Sequence, residues 1–130
     1  MTVQNLSTKI CSVDDLHKFR VVTIHDTGTS ECLNSYYIHF NPTDSIEEGL
    51  EHLLNETTDI FVYDEPLMRF EIERLELKKK IYILPYTLRK DYFAYCFPLN
   101  SELLDMVNPI LINSLKTKRW TSIIKNYQKP

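Results

Sequence analysis

Glycine is nearly missing from this chain. Gly28 and Gly49 are the two among 130 residues. That excludes architectures whose loops or flaps call for glycine repeatedly. The three cysteines, Cys11, Cys32 and Cys96, show no close pairing and no zinc-type spacing. An odd count argues against a disulfide framework. Basic charge is also short: 15 lysines and arginines face 18 acidic residues, for a net charge of −3. Lys78, Lys79 and Lys80 form the one positive run, read as a solvated helix end. Nucleic acid is therefore not expected as a partner. No apolar run approaches the roughly 20 residues that span a bilayer. The opening MTVQNLSTKI has no apolar core, so it does not read as a signal peptide. The expectation is a cytoplasmic chain or a piece of something longer.

What is present suits one ordinary globular domain or part of a larger one. Apolar residues make up 43% of the chain and charged residues 25%. Phe19 to Ile24 (FRVVTI) is β-branched and reads as a buried strand. A helix is expected from about Thr29 to Tyr36, and a second strand at Tyr37 to Phe40, broken by Asn41 and Pro42. Asp44 to Asn55 is the clearest helix. Asp44 and Glu47 form a capping-box pattern, and Ile46, Leu50, Leu53 and Leu54 share a face. Asp59 to Tyr63 (DIFVY) is a third strand, stopping at Asp64. Pro66 opens a helix running to about Leu75. Lys80 to Pro85 and Tyr92 to Phe97 read as fourth and fifth strands. From Ser101 the chain is expected to be helical, with Leu103, Leu104, Val107, Leu111 and Leu115 on one face and a kink at Pro109. Trp120 to Tyr127 reads as a last short helix. Strand and helix alternate, which predicts an α/β fold with a largely parallel sheet.

The segment IHDTGTSECL contains Asp26-Thr-Gly-Thr, a string that aspartic proteases carry at a catalytic carboxylate. The rest of the chain rejects that reading. Such a fold is nearly all β and needs glycine-rich flaps, and His25 stands where an apolar residue belongs. The alternative is an anion site. Backbone N–H groups at a helix start, with the hydroxyls of Thr29 and Ser30, favour a carboxylate or a small phosphate. Gly28 would let the backbone turn and let a ligand approach. The competing reading is that Thr29 or Ser30 caps its own helix. Asp64 ends a buried strand, where ligands of open α/β sheets collect. It would serve as a free carboxylate or as the cap of the next helix. Together the two strand ends would hold both ends of a zwitterion. No nucleophile–base pair is visible, no histidine has a partner legible in sequence, and no cofactor or metal is implied, so an enzyme is not expected.

Several stretches in consistent order carry a resemblance. SVDDL followed by FRVVTIHDTGTSECL, then SIEEGLEHLLNETTDIFVYDEPLMRFEIE, KDYFAYCFPLNSELLDMVNPILINSL and RWTSIIKNY resemble lobe 2 and the closing helices of type II periplasmic amino-acid-binding proteins and ionotropic glutamate receptors. The likeness covers about Thr2 to Tyr127. It implies a periplasmic-binding-protein-like lobe 2 over residues 1–94. Residues 95–130 would be the return strand and the helices that pack on an absent lobe 1. It implies that Thr29 and Ser30, with Gly28, bind a ligand's side-chain carboxylate. It gives Asp64 the ligand's α-amino group, supported by Tyr92 or Phe93. The cysteines do not match the lobe 2 disulfide of animal receptors, which points to a bacterial or divergent relative.

The start of the chain is similar to the stretch joining a pore helix to lobe 2, so the resemblance favours the ligand-binding segment of a ligand-gated channel. Closure on a glutamate-like amino acid would open a cation pore at the outer or periplasmic face of the membrane. The segment itself would not be membrane-embedded. Its partners would be lobe 1 and the pore segments of the same chain. Exposed apolar helix faces would favour a homo-oligomer. The rivals are a soluble amino-acid-binding protein, a sensor-kinase input domain and a binding-protein-like dehydratase.

Overall fold

The computed structural model describes residues 2, 9–92 and 94–127. It divides the chain into two compact units, Met1–Leu88 and Arg89–Pro130.

The first unit is built on a three-stranded parallel sheet. β1 (Val21–Ile24) lies at the centre, between β2 (Phe40–Thr43) and β3 (Ile60–Phe61). Val21 pairs with Phe40 on one side and Ile60 on the other. Parallel neighbours require crossovers. α1 (Gly28–Ser35) joins β1 to β2, and α2 (Ile46–Leu54) joins β2 to β3. α3 (Glu65–Arg74) follows β3, and a 3-10 helix, Val13–Lys18, precedes β1.

Alternation along the strands sorts the core into two layers. Val22 and Phe61 face one side, with Leu50 and Leu53 of α2 and Met68 and Ile72 of α3. Val21 and Ile60 face the other, with Leu33 of α1, Leu16 of the 3-10 helix, Ile10 and Ile38. Both faces of the sheet are covered, which is why β3 and most of β1 are apolar on both sides, whereas the edge strand β2 carries the exposed Asn41 and Pro42. The buried hydroxyls of Thr23, Ser30, Thr43 and Thr58 each donate to a backbone carbonyl. Thr23 Oγ1 donates to the Val62 carbonyl at 2.7 Å, and Thr58 Oγ1 donates to the Arg20 carbonyl at 2.7 Å. Arg20 holds Asp59 bidentately, at 3.1 Å through Nε and 2.7 Å through Nη2, pinning β3 beside β1.

Glycine scarcity leaves a mark on the backbone. No glycine has positive φ; the left-handed residues are Asp26, Tyr37, Glu56, Glu76 and Asn100. Three of these end helices. At Tyr37 the N–H donates to Asn34, and the next N–H, of Ile38, reaches back to Leu33. Glu56 and Glu76 repeat the pattern after α2 and α3. These are Schellman closures with an ordinary residue where glycine is usual. Gly49 is retained for space instead: a Cβ there would lie 2.5 Å from the Phe61 ring.

Four expectations about the elements of the first unit change. The second strand is not Tyr37 to Phe40, because Tyr37 is spent in closing α1. It runs from Phe40 through Asn41 and Pro42 to Thr43, and as an edge strand it accommodates the proline. The cap of α2 is Ser45, whose Oγ accepts from the Glu48 N–H at 3.2 Å, not Asp44. The lysine run lies in a turn after α3 rather than at a helix end. The expected strand at Lys80 to Pro85 is reduced to one antiparallel bridge between Thr2 and Tyr82. Its apolar side chains still pack: Ile81 is buried with the α2–α3 layer.

The second unit contains α4 (Glu102–Leu115) and α5 (Lys118–Tyr127). α4 runs on through Pro109. Thr117 links them; its Oγ1 accepts from the Trp120 N–H at 3.3 Å. The strand expected at Tyr92 to Phe97 is absent among the described residues, and Phe93 lies outside them. A strand needs a partner to satisfy its backbone, and this unit has no sheet among its described residues. No residue of α4 or α5 is buried.

Candidate functional site

The carboxyl ends of β1, β2 and β3 lie side by side, because the strands are parallel and in register. Each end runs into polar residues: His25, Asp26 and Thr27 after β1, Asp44 after β2, and Asp64 shortly after β3.

The β1–α1 loop is tightly specified. Asp26 makes the turn, at φ 53°. The expectation that Gly28 makes it is corrected: Gly28 is the first residue of α1 and does not have positive φ. Thr27 is the cap. Its Oγ1 donates to the Ile24 carbonyl at 2.8 Å and accepts from the Ser30 N–H at 3.3 Å. Ser30 answers: its Oγ accepts from the Thr27 N–H at 3.0 Å and donates to the Thr27 carbonyl at 2.8 Å. Ser30 is 5% exposed and its hydroxyl is fully committed. What remains uncommitted is more specific than the sequence suggests. The N–H groups of Gly28 and Thr29, and the half-buried Thr29 hydroxyl, have no partner among the described residues. They lie at the positive end of the α1 dipole.

Asp64 occupies the position before α3, and its carbonyl accepts from the Met68 N–H at 3.0 Å. Its side chain does not cap the helix. The carboxylate is half-buried and makes no hydrogen bond or ion pair among the described residues. Thus Gly28, Thr29, Ser30 and Asp64 belong to one unit at strand ends of one sheet. Tyr92 belongs to the second unit and is 93% exposed.

One feature was missed from sequence. The His25 ring lies between two carboxylates, with Nδ1 2.8 Å from Asp26 Oδ2 and Nε2 2.7 Å from Asp44 Oδ1. The hydrogen bond to Asp26, then that to Asp44, raises the His25 pKa above 6.5. Asp26 and Asp44 lie 1 and 19 residues away, so only the nearer was adjacent in sequence. His52 also has a partner, Thr57 Oγ1 at 2.9 Å. Neither the Asp44 partner of His25 nor the Thr57 partner of His52 was legible in sequence. Among the described residues no group of three or more His, Cys, Asp or Glu side chains is placed to hold a metal ion. Nor is any helix long and apolar enough to cross a membrane.

Solved structures similar to this chain agree on the architecture. The GluR0 ligand-binding core from Nostoc punctiforme, in complex with L-glutamate, superposes with a TM-score of 0.76 at 26% identity, over 94% of this chain and 57% of that one. Another GluR0 ligand-binding core, also complexed with L-glutamate, gives a TM-score of 0.76 at 17% identity, over 94% and 53% of the two chains. An ancestral arginine-binding protein bound to glutamine gives 0.70 at 18% identity, over 94% and 55%. The chain therefore spans somewhat more than half the length of each. No protein-family model and no curated protein matches it. Central parallel sheet, flanking helices and the order of elements place the chain in the type II periplasmic-binding-protein fold.

Proposed function

We propose that the chain forms one wall of an amino-acid-binding cleft, within a bilobed domain that closes on its ligand. The observation that carries this is the pair of uncommitted groups at strand ends of one sheet. Unpaired N–H groups of Gly28 and Thr29, with the Thr29 hydroxyl, suit a carboxylate. The unpaired, half-buried carboxylate of Asp64 suits an ammonium group. A zwitterion with a second carboxylate, such as glutamate, satisfies both. Ser30 holds the loop in shape. The likeness to glutamate-bound GluR0 cores and to a glutamine-bound arginine-binding protein supports the same ligand class.

On this reading the remaining ligand contacts come from a first lobe of the whole protein. Closure follows because the ligand binds the closed form more tightly than the open one. The whole protein is a ligand-gated channel of the glutamate-receptor kind, with this domain outside the membrane. GluR0 cores being matched at the higher TM-score favours it over a soluble binding protein. The unburied apolar helices α4 and α5 are the surface that the first lobe covers.

Calorimetry with L-glutamate on the complete two-lobed protein tests the binding reading. Asp64→Ala is expected to weaken affinity by roughly tenfold to a hundredfold, the about 1.5–3 kcal/mol of a hydrogen bond to a charged group. Unchanged affinity removes Asp64 from the site. Ligand-evoked current from the whole protein separates the channel from the soluble binder.

A further inference from the structure

The β1–α1 loop that presents Gly28 and Thr29 meets the β2–α2 junction at His25, through its backbone and its side chain. Its backbone N–H donates to the Thr43 carbonyl at 3.1 Å, which sets the ring between the two loops. Both ring nitrogens then face a carboxylate oxygen, Asp26 on one side and Asp44 on the other, at 2.8 and 2.7 Å. A carboxylate only accepts, so both contacts are hydrogen bonds only when both nitrogens carry protons. A neutral imidazole has one N–H. Its other nitrogen would then place a lone pair against a carboxylate at hydrogen-bond distance, and one contact has to open.

The two aspartates are not interchangeable anchors. Asp26 is the left-handed residue that turns the chain from β1 into α1. Asp44 is free to reach His25 because Ser45, not Asp44, caps α2. Glu48 fixes Asp44 from the other side, its Oε2 accepting from the Asp44 N–H at 2.8 Å. The charged groups around the ring are therefore Asp26 from its own loop and Asp44 from the β2–α2 junction, with Glu48 behind Asp44.

We infer that His25 is a proton-linked positioning residue. As an imidazolium it clamps the β1–α1 loop to the β2–α2 junction and holds the Gly28 and Thr29 N–H groups for an anion; deprotonation opens the clamp and loosens that end of α1. This rests on the anion-binding reading of the α1 start. The raised pKa of His25 agrees with the geometry. The clamp is complete below about 6.5, the ordinary histidine value, and is lost as pH rises through the higher folded-state value.

The test follows the side chain and the loop separately from any ligand. Proton–nitrogen and proton–carbon NMR spectra of the chain are recorded across pH 5 to 9. The His25 ring is expected to titrate above 6.5, and the Gly28 and Thr29 amide signals to move with the same midpoint. In Asp44→Asn the His25 midpoint falls, and in His25→Gln the two amides no longer titrate. A His25 midpoint at or below 6.5, or amides that ignore it, overturns the inference. L-Glutamate is then the probe on the two-lobed protein. Affinity is expected to drop about two- to fivefold as His25 loses its charge, the size of a helix-terminus charge effect, and to be flat with pH in His25→Gln. Amides that titrate with His25 while L-glutamate binds at no pH leave the clamp standing and defeat the amino-acid reading instead.

Discussion

The two units use similar apolar helices to opposite ends. In the first, α2 lays Leu50 and Leu53 against the sheet, and both are at most 1% exposed. In the second, α4 carries a leucine-rich face of the same kind, yet Leu103 and Leu104 are 55% and 43% exposed. The difference is the sheet. A parallel sheet offers two broad apolar faces, and each crossover helix has one to bury against. α4 and α5, with no sheet in their unit among the described residues, leave their stripes unburied. An amphipathic pattern therefore states that a helix has a partner, not that the partner lies in the same unit.

The sharpest way to break the comparison is to delete equal apolar bulk on each side of it. Phe61→Ala removes a fully buried ring at the centre of the α2–α3 layer. It is expected to destabilise the first unit by about 3–5 kcal/mol, as large core truncations do. Leu103→Ala in α4 is expected to change the same unfolding transition by less than about 0.5 kcal/mol. Urea denaturation followed by circular dichroism reads both; equal losses would show that the second unit has a core after all.

A smaller effect comes from adding bulk. In Gly49→Ala the new methyl meets the Phe61 ring, which is buried and has no room to retreat. Overpacking of about 1–3 kcal/mol exceeds the helix propensity gained, about 1 kcal/mol, so the variant is expected to be less stable. With Phe61→Leu in the background, Gly49→Ala should be tolerated or mildly stabilising. A simple sum of the two single effects would mean that the ring and the glycine do not share one space.

How much of this was legible depends on whether a signal is local. The β-branched run of β1, the amphipathic stripe of α2 and the proline at the start of α3 are local, and those elements lie where the sequence puts them. The helix ends are not, because the chain lacks the residue that announces them. Tyr37, Glu56 and Glu76 take the left-handed position without glycine, so Tyr37 reads as a strand residue and β2 is displaced. The expected strands at Lys80 to Pro85 and Tyr92 to Phe97 failed for another reason: a strand is a property of a pair. The site divides the same way. Thr29 and Asp64 were legible from their places after strands. The capping role of Thr27 turned on one residue of register, and the His25–Asp44 contact bridges 19 positions, beyond any periodicity.

Those unusual helix ends give a stabilising prediction. Left-handed backbone costs an ordinary residue about 1–2 kcal/mol, and glycine gives back part of that in unfolded-chain entropy. Glu56→Gly and Glu76→Gly are each expected to raise stability by about 0.5–1 kcal/mol, read as a higher urea midpoint with an unchanged slope. Glu76 makes no ion pair among the described residues, so Glu76→Gly removes none there. A loss at either position would mean that the Schellman closure is not where the strain lies.

The mildest effect belongs to a polar side chain at the entry into the first unit, Asp15, whose replacement removes no apolar burial. Asp15 accepts from the Cys11 and Ser12 N–H groups at 3.0 and 3.1 Å and pairs with Lys18 at 2.7 Å. The Lys18 contact first, then the backbone bonds, lowers its pKa from 3.8 to about 2. A lowered carboxylate stabilises the fold above its unfolded value. The contribution of Asp15 is therefore complete above about 3.8 and disappears as pH falls towards about 2. Asp15→Asn should flatten the acid limb of the melting temperature in that window and leave its value at pH 7 slightly reduced. Because Lys18 is open to solvent, its share should shrink further at high salt. An acid limb of unchanged slope in Asp15→Asn would move the source of acid sensitivity to Asp59, whose pairing with Arg20 also lowers its pKa. That would place it between β1 and β3, inside the sheet that separates one unit from the other in character.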